Sequence, residues 1–399
     1  MDEVKASPET GGGQDRDPIL DLLKGAGCLL MIVAHSALKL QNYEQFTFHG
    51  GLAPVMFFSA AAVTASFQAR RYRLRGVLLT YLFLFLLGFS FNRITDVGFL
   101  GELEMDMLQI IAVGSAIIVL LERRYRPGAG VYLGLAILAF GAKFAIQAIL
   151  NGYSLPSVTN MLVPPGVFPL FPWLFLFFGG LVAHRVPNLW NLALFALWAG
   201  TAFGIHALGV PLLIKGKWDM TIGYFLVCNL LLSGSVFMLR LVPWFRRPRG
   251  LGWLLFLGRN SLLFLYVHFP LALFLKEDYN IRTLPLIRAY PFLFWLVILA
   301  GTVALMLLLM RLARWRPLAS LFERLSTWIV LTLLVFGVGL LIPKDDVVYL
   351  IEVGLGILMS LYFHRLSVLL KKRAASASAR SSDGVSTEAG RDRPLPSVR

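Results

Sequence analysis

The chain has 399 residues, of which 57% are hydrophobic and only 15% are charged, yet its formal net charge is +15. Soluble domains carry roughly 25% charged residues and disordered chains need low hydrophobicity, so this composition excludes an ordinary soluble enzyme and a largely disordered protein. The basic residues do not form one patch on a polar domain, which argues against nucleic acid as a partner. We therefore predict an all-α integral membrane protein, a polytopic transmembrane helix bundle with its positive charge in the loops.

Twelve apolar segments follow one another between two polar tails. Residues 1–17 and 366–399 are expected to be disordered cytoplasmic tails, and the first of them has no apolar core of a signal peptide. Each segment is long enough to cross about 30 Å of hydrocarbon as a helix. The segments are 18–38, 51–69, 74–92, 106–122, 128–150, 168–184, 189–208, 222–242, 252–275, 291–311, 326–342 and 346–365. The pattern leaves open whether 342–346 is a true loop between two spans, so we expect about 10–12 spans within a transmembrane domain at 18–365.

Arginine clusters give these segments an orientation, because each cluster follows an even-numbered segment. The clusters begin at Arg70, Arg123, Arg185, Arg246, Arg311 and Arg365. Basic loops stay in the cytoplasm, so both termini are predicted to be cytoplasmic. We expect a multi-pass protein of the plasma membrane, which in a bacterium is the inner membrane.

The first segment carries an unusual stripe of polar side chains. On a helix, Asp21, Lys24, Cys28 and His35 fall within an arc of about 60°, and Lys24 and His35 lie about 16 Å apart along the axis. Charged groups inside a membrane normally face a protein interior or a water-filled cavity. Two simpler interpretations stay open: Lys24 extends to the cytoplasmic interface or pairs with Asp21, and His35 is an interfacial histidine. The two small residues Gly25 and Gly27 would allow a neighbouring helix to approach closely.

Five short motifs occur in order between residues 16 and 275. They are Arg16, Asp17, Asp21, Lys24, Gly25 and His35; Gly51 to Ser59; Glu104 to Gln109; Phe171-Pro172-Trp173 with Gly179-Gly180; and Leu257 to Leu262 with Tyr266, Val267 and His268. These motifs and their order resemble those of the transmembrane acyltransferase superfamily. This superfamily includes the acyltransferase-3 proteins and the heparan-alpha-glucosaminide N-acetyltransferase-like proteins. Lys24 stands where arginine is commoner in that family, which favours a point-charge contact with phosphate over a bidentate one.

The resemblance implies an enzyme that moves an acyl group from cytoplasmic acyl-CoA, expected to be acetyl-CoA, to an acceptor beyond the membrane. The expected acceptor is a sugar hydroxyl or amine of a glycan or glycolipid. Lys24 is then expected to bind the donor phosphates. Arg259, Asn260 and Ser261 would assist at a helix N-terminus, where free N–H groups favour anions, although an ordinary interfacial helix cap is the alternative. His35 is expected to act as the general base, with a transient acyl-histidine as the alternative mechanism.

A general base usually needs a second group that orients it. The available side chains are His49, Glu102, Glu104, Asp106 and His268, of which we assign Asp106 and His268 to the catalytic site. The alternative for His268 is a packing histidine bonded to a backbone carbonyl. No metal site is predicted, because no His, Cys, Asp and Glu cluster has metal-ligand spacing.

Two other functions stay open at this stage, and a homo-oligomer is compatible with both. A transporter or lipid flippase would use intramembrane ionisable residues as a relay, namely Lys24, Lys143, His206 and Glu352. A non-catalytic membrane scaffold could share the same fold.

Overall fold

A computed structural model describes most of the chain as α-helix, with no strand among the residues it describes. These are residues 17–36, 51–95, 104–150, 156–164, 166–214, 216–242, 249–277, 279–290, 292–342 and 345–388. The helices, in chain order, are α1 Pro18–Ser36, α2 Ala53–Arg71, α3 Leu74–Thr95, α4 Met107–Arg124, α5 Ala129–Leu150, α6 Pro156–Leu162, α7 Leu170–Arg185, α8 Asn188–Ala207, α9 Ile222–Leu241, α10 Gly252–Arg259, α11 Ser261–Glu277, α12 Pro285–Ala289, α13 Phe292–Leu312, α14 Arg316–Leu321, α15 Leu325–Leu341 and α16 Asp346–Glu388.

Every apolar segment of the sequence contains a helix, and the long helices have the composition of membrane spans. Within the described ranges, seven helices are long and apolar enough to cross a membrane: α1, α3, α5, α8, α9, α13 and the first part of α16. Two shorter apolar helices, α7 and α15, accompany them. The prediction of an all-α helical membrane protein is therefore confirmed.

The ninth segment, 252–275, differs from the continuous span that its apolar run predicts. Helices α10 and α11 meet there at an angle of 89°. Asn260 ends α10, because its side-chain amide donates to the carbonyl of Phe256 at 2.8 Å. Asparagine side chains that bond to the backbone compete in this way with helix continuation. Hydropathy does not detect such a break, since apolar residues lie on both sides of it.

The helices divide into an inner and an outer set. Most residues of α2 and α7 are buried, including Phe58 and Trp173. By contrast, α8 exposes large apolar side chains, such as Leu189 at 74% and Phe203 at 73%. Large apolar surfaces of this extent are not stable in water but are expected against hydrocarbon.

One end of the bundle collects the arginines at the C-terminal ends of α2, α4 and α7, and we refer to it as the basic end. Its buried centre is the carboxylate of Glu122, which pairs with Arg70 at 3.1 Å and with Arg185. The hydroxyl of Tyr132 donates to the same carboxylate at 2.7 Å. Several partners are needed here, because a buried charge is costly unless it is paired and hydrogen-bonded. The network fixes α2, α4, α5 and α7 to one another.

The two predicted tails lie only partly within the described residues. Residues 1–16 lie outside the described residues. Helix α16 continues from Asp346 to Glu388, so it extends well beyond position 366, where the second tail was predicted to begin. Residues 343 and 344, which separate the last two segments, also lie outside the described residues.

Candidate functional site

The polar stripe of α1 faces the broken helix pair α10–α11. Near the basic end, the carboxylate of Asp21 pairs with the guanidinium Nε of Arg259 at 3.2 Å. At the opposite end, His35 Nδ1 lies 2.9 Å from His268 Nε2. The structure thus joins two sequence-predicted site residues, His35 and His268, that are 233 positions apart.

Two glycines allow this close contact between α1 and α10. A methyl group at Gly258 would lie 1.8 Å from the carbonyl oxygen of Asp21, and one at Gly25 would lie 2.3 Å from that of Leu254. Neither position has room for a side chain, so the prediction of close approach at Gly25 is confirmed. The Asp21 and Arg259 side chains meet because the backbones come this near.

The histidine pair has a defined arrangement of protons when both rings are neutral. His268 is buried, and its Nδ1 lies 2.9 Å from the carbonyl oxygen of Phe264, which can only accept. His268 therefore carries its proton on Nδ1, and its Nε2 accepts a hydrogen bond from His35 Nδ1. The Nε2 of His35 is left unprotonated, with a lone pair available to take a proton. The ring of Phe269 contacts His35 edge-on, with the centroids 4.7 Å apart.

A cavity of about 640 Å³ lies between this helix pair and α4. Towards the basic end its lining includes Lys24, Arg259, Asn260 and Ser261, which are the four residues that the sequence assigned to donor binding. It then extends past α4 as far as Met107 and Leu265. Leu265 is three residues before His268, so the far part of the cavity is within one helical turn of the histidine pair.

Arg259 keeps part of its donor capacity for this cavity. Its pairing with Asp21 engages Nε, and a guanidinium carries four further N–H donors on its two Nη atoms. The Arg259 side chain is 53% exposed. Helix α11 begins next to it at Ser261 and directs free backbone N–H groups towards the same space.

Asp106 serves mainly as a helix cap. Its carboxylate accepts hydrogen bonds from the backbone N–H of Met107 and from the Thr95 hydroxyl at 3.1 Å, and the Gln109 side chain completes a capping box. Among the described residues no hydrogen bond joins Asp106 to His35. The contact with His35 comes instead from His268. His268 also bonds to the backbone carbonyl of Phe264, so it makes both of the interactions that the sequence treated as alternatives.

The remaining orienting candidates lie elsewhere. Glu104 accepts a hydrogen bond from the side chain of Asn160 at 3.1 Å. His49 and Glu102 lie outside the described residues. In the part of the chain that is described, no three His, Cys, Asp or Glu side chains are grouped to hold a metal ion.

Sequence reasoning missed Lys217, which belongs to the loop between α8 and α9. Its ammonium lies 3.9 Å from the centroid of the Trp218 ring, and its charge interacts with Asp106 and with His35. Burial lowers the pKa of Lys217 to about 8, against the opposing effect of the Asp106 charge. The adjacent Lys and Trp in a long loop were the only sequence signal, and a loop lysine is ordinarily solvated.

Comparison with models of protein families, with curated proteins and with solved structures finds no match to this chain.

Proposed function

We propose that this protein is an integral membrane acyltransferase that moves an acyl group, specifically acetyl, from acyl-CoA to a sugar hydroxyl or amine at the opposite face of the membrane. The observation that carries the proposal is the shape of the cavity. It is lined at one end by the cationic side chains of Lys24 and Arg259, and it extends to Leu265, within one helical turn of His268. A donor with phosphates at one end and a thioester at the other matches this distribution of charge along the cavity.

The phosphates of the donor are assigned to the part of the cavity near the basic end. Lys24 and the Nη groups of Arg259 supply positive charge there, and the start of α11 at Ser261 adds backbone N–H donors. The narrow pantetheine arm then follows the cavity past Leu265, which brings the thioester towards the histidine pair. Only the acyl group has to reach the acceptor.

His35 is assigned as the general base. As the acceptor oxygen or nitrogen attacks the thioester carbonyl, its proton passes to the free Nε2 of His35. Collapse of the tetrahedral intermediate breaks the carbon–sulfur bond, and the CoA thiolate takes the proton back from His35. His268 holds the imidazole in the required tautomer through its hydrogen bond to Nδ1. In other enzymes, a catalytic histidine held in the wrong tautomer loses most of its activity, which supports this assignment.

The orientation belongs to the same proposal. With the basic end in the cytoplasm, as the positive-inside rule requires, Lys24 and Arg259 face the compartment that contains acyl-CoA. Both termini are then cytoplasmic, and the chain crosses the membrane about 10–12 times. We assign it to the plasma membrane, which is the inner membrane in a bacterium.

The test is transfer of label from radioactive acetyl-CoA in membranes that contain the protein. We expect label in a glycan or lipid fraction with the wild-type protein, and a loss of about 10²–10⁴-fold with His35→Ala, the usual effect of a general base. The matched control is His206→Ala, since His206 is an exposed histidine at the last turn of α8. Both variants should reach the membrane in equal amounts. Equal labelling by His35→Ala and wild type would refute the proposal.

A transporter or lipid flippase is the second candidate, and the break between α10 and α11 favours it. Transporters bind their substrates at the ends of such interrupted helices, although they usually contain a pair of them in related halves. The described residues contain one bent pair. Movement of a glycolipid across reconstituted vesicles without acyl-CoA would support this candidate. A non-catalytic scaffold would show neither transport nor binding of acyl-CoA.

A further inference from the structure

The loop between α8 and α9 holds Lys217 in an unusual position. The ammonium lies over the Trp218 ring, and the ring centroid of Phe168 is 5.2 Å away. The side-chain stem is close to the start of α2, where a methyl group at Gly51 would lie 3.7 Å from its Cδ. Within the described part of the chain, no carboxylate or carbonyl accepts a hydrogen bond from this half-buried ammonium.

Hydrogen bonds to α5 and to Gly51 hold the end of this loop and the start of α9. Lys143, on α5, donates to the backbone carbonyls of Asp219 and Met220, the latter at 3.2 Å. The Tyr224 hydroxyl donates to the carbonyl of Gly51 at 2.6 Å. The carbonyl of Lys217 accepts from the backbone N–H of Met220 at 3.2 Å, which ties the backbone of Lys217 to the residues that Lys143 binds.

Asp106 attracts Lys217 without binding it. The carboxylate of Asp106 accepts from Met107 and Thr95, and among the described residues it has no hydrogen bond with Lys217, so the ammonium keeps its hydrogen-bond donors. A partly desolvated ammonium with unused donors binds an anion well, because water no longer competes fully and a charged partner strengthens each hydrogen bond. Trp218 is 49% exposed, and an exposed tryptophan ring offers an apolar face to a sugar ring.

We propose that Lys217 binds an anionic group, a carboxylate or a phosphate, on the sugar acceptor and holds that acceptor beside His35, with Trp218 as its apolar support. The inference rests on the proposed acyl transfer and adds the substrate class: an acidic sugar or sugar phosphate. Lys217 is thereby assigned as a specificity residue.

The test measures ligand binding separately from transfer, by the fluorescence of Trp218 in the purified full-length protein. The probes are glucose 6-phosphate, glucuronate and neutral glucose. We expect the two anionic sugars to change the emission saturably and glucose to have no effect. Lys217→Gln should weaken the apparent affinity by about tenfold or more, which is the usual contribution of a hydrogen bond to a charged group. Lys217→Arg should retain binding, and Trp218→Phe should remove the signal.

The control is Lys276→Gln, which removes a lysine near the end of α11 and should leave binding unchanged. Equal responses to glucose and its anionic counterparts, or an unchanged response in Lys217→Gln, would overturn the inference. Stronger binding of one anionic sugar distinguishes a phosphate from a carboxylate as the bound group. Selective binding of anionic sugars without any transfer of label would count against the proposed acyl transfer and leave the anion site in place.

Discussion

His35 and His268 have different hydrogen-bond partners, and the proposed mechanism gives them different roles for that reason. His268 is fixed from behind by the carbonyl of Phe264, so it can only accept from His35. In His35, Nδ1 is engaged in the hydrogen bond to His268 and Nε2 is free of hydrogen bonds to the described residues. His35 is half-buried whereas His268 is fully buried, so His35 is the more accessible residue of the pair. In the proposed mechanism, these hydrogen bonds favour His35 over His268 as the proton acceptor.

The orienting role of His268 predicts a difference between two substitutions. In His268→Gln the side-chain carbonyl can still accept from His35 Nδ1, whereas in His268→Leu it cannot. We expect His268→Leu to lower kcat by about 10²-fold, since the wrong tautomer of a base is costly, and His268→Gln to restore much of that loss. The measurement is acetyl transfer at saturating acetyl-CoA. If the two variants lose activity equally while both fold, His268 serves packing alone.

The lowered pKa of Lys217 predicts the pH dependence of anion binding. Burial brings this pKa to about 8, while the charge of Asp106 opposes the shift. Below pH 8 the ammonium is charged and binds the anion, and above it the amine is neutral. Affinity for glucose 6-phosphate should therefore be constant up to about pH 7.5 and should fall by about tenfold per pH unit well above the pKa.

The control for this pH profile is Lys217→Arg, because arginine stays charged throughout the range. Because only the charged ammonium binds the anion, the fall in affinity should begin at the pKa of the free protein, about 8. A wild-type profile as flat as that of Lys217→Arg would show that another group binds the anion.

At the scale of single residues, the sequence predicts positions along a helix but not contacts between helices. The 3.6-residue period places Asp21, Lys24 and His35 on one face, and the structure confirms that this face is turned inward. Asp21 pairs with Arg259, which is 238 positions away, and the period of a single helix cannot predict such a contact. Lys217 shows the same limit, because its burial depends on how a loop folds back over α2.

At the scale of the helices, the close contact of α1 with α10 is the central element of the site. It brings Arg259 to Asp21 and, together with the break at Asn260, directs the start of α11 into the cavity. Backbones this near to each other require glycine at the contact. Gly258 is therefore a structural requirement of this helix contact, and through it of the proposed donor site.

A Gly258→Ala substitution should push α10 away from α1. The added methyl group would overlap the carbonyl oxygen of Asp21, and overpacking of this kind costs about 1–3 kcal/mol of the free energy of unfolding. Gly252→Ala is a matched control on the same helix, since a methyl group there has no heavy atom within 4 Å. Thermal unfolding in detergent should show a lower midpoint for Gly258→Ala alone. Equal midpoints for the two variants would mean that the helices can separate without cost.

The sequence predicts the existence of the helices well and their interruptions poorly. Apolar runs of membrane length locate each helix because hydrocarbon leaves few other structures open to the backbone. The break in 252–275 depends instead on one hydrogen bond, from the Asn260 side chain to the backbone, within an uninterrupted apolar run. Helix α16 continues past the last apolar segment to Glu388, where its polar sequence gives no hydropathy signal.

At the scale of the whole molecule, the net charge of +15 is distributed unevenly along the membrane normal. The ends of α2, α4 and α7 bring their arginines to one face, where Glu122 neutralises only part of that charge. The histidine pair and Lys217 are at the other face. Membranes retain basic loops in the cytoplasm, so this asymmetry is the basis of the proposed orientation, in which the basic end would meet acyl-CoA.

Single added cysteines test this orientation. Both native cysteines, Cys28 and Cys228, are buried and should not react with a membrane-impermeant maleimide. Tyr125 follows α4 at the basic end and is 69% exposed, and Leu208 follows α8 at the opposite end and is 81% exposed. In intact cells we expect Leu208→Cys to be labelled and Tyr125→Cys to be labelled only after permeabilisation. The reverse result would place Lys24 and the cavity lining on the side without acyl-CoA, so acyl transfer from the cytoplasmic donor would no longer be possible.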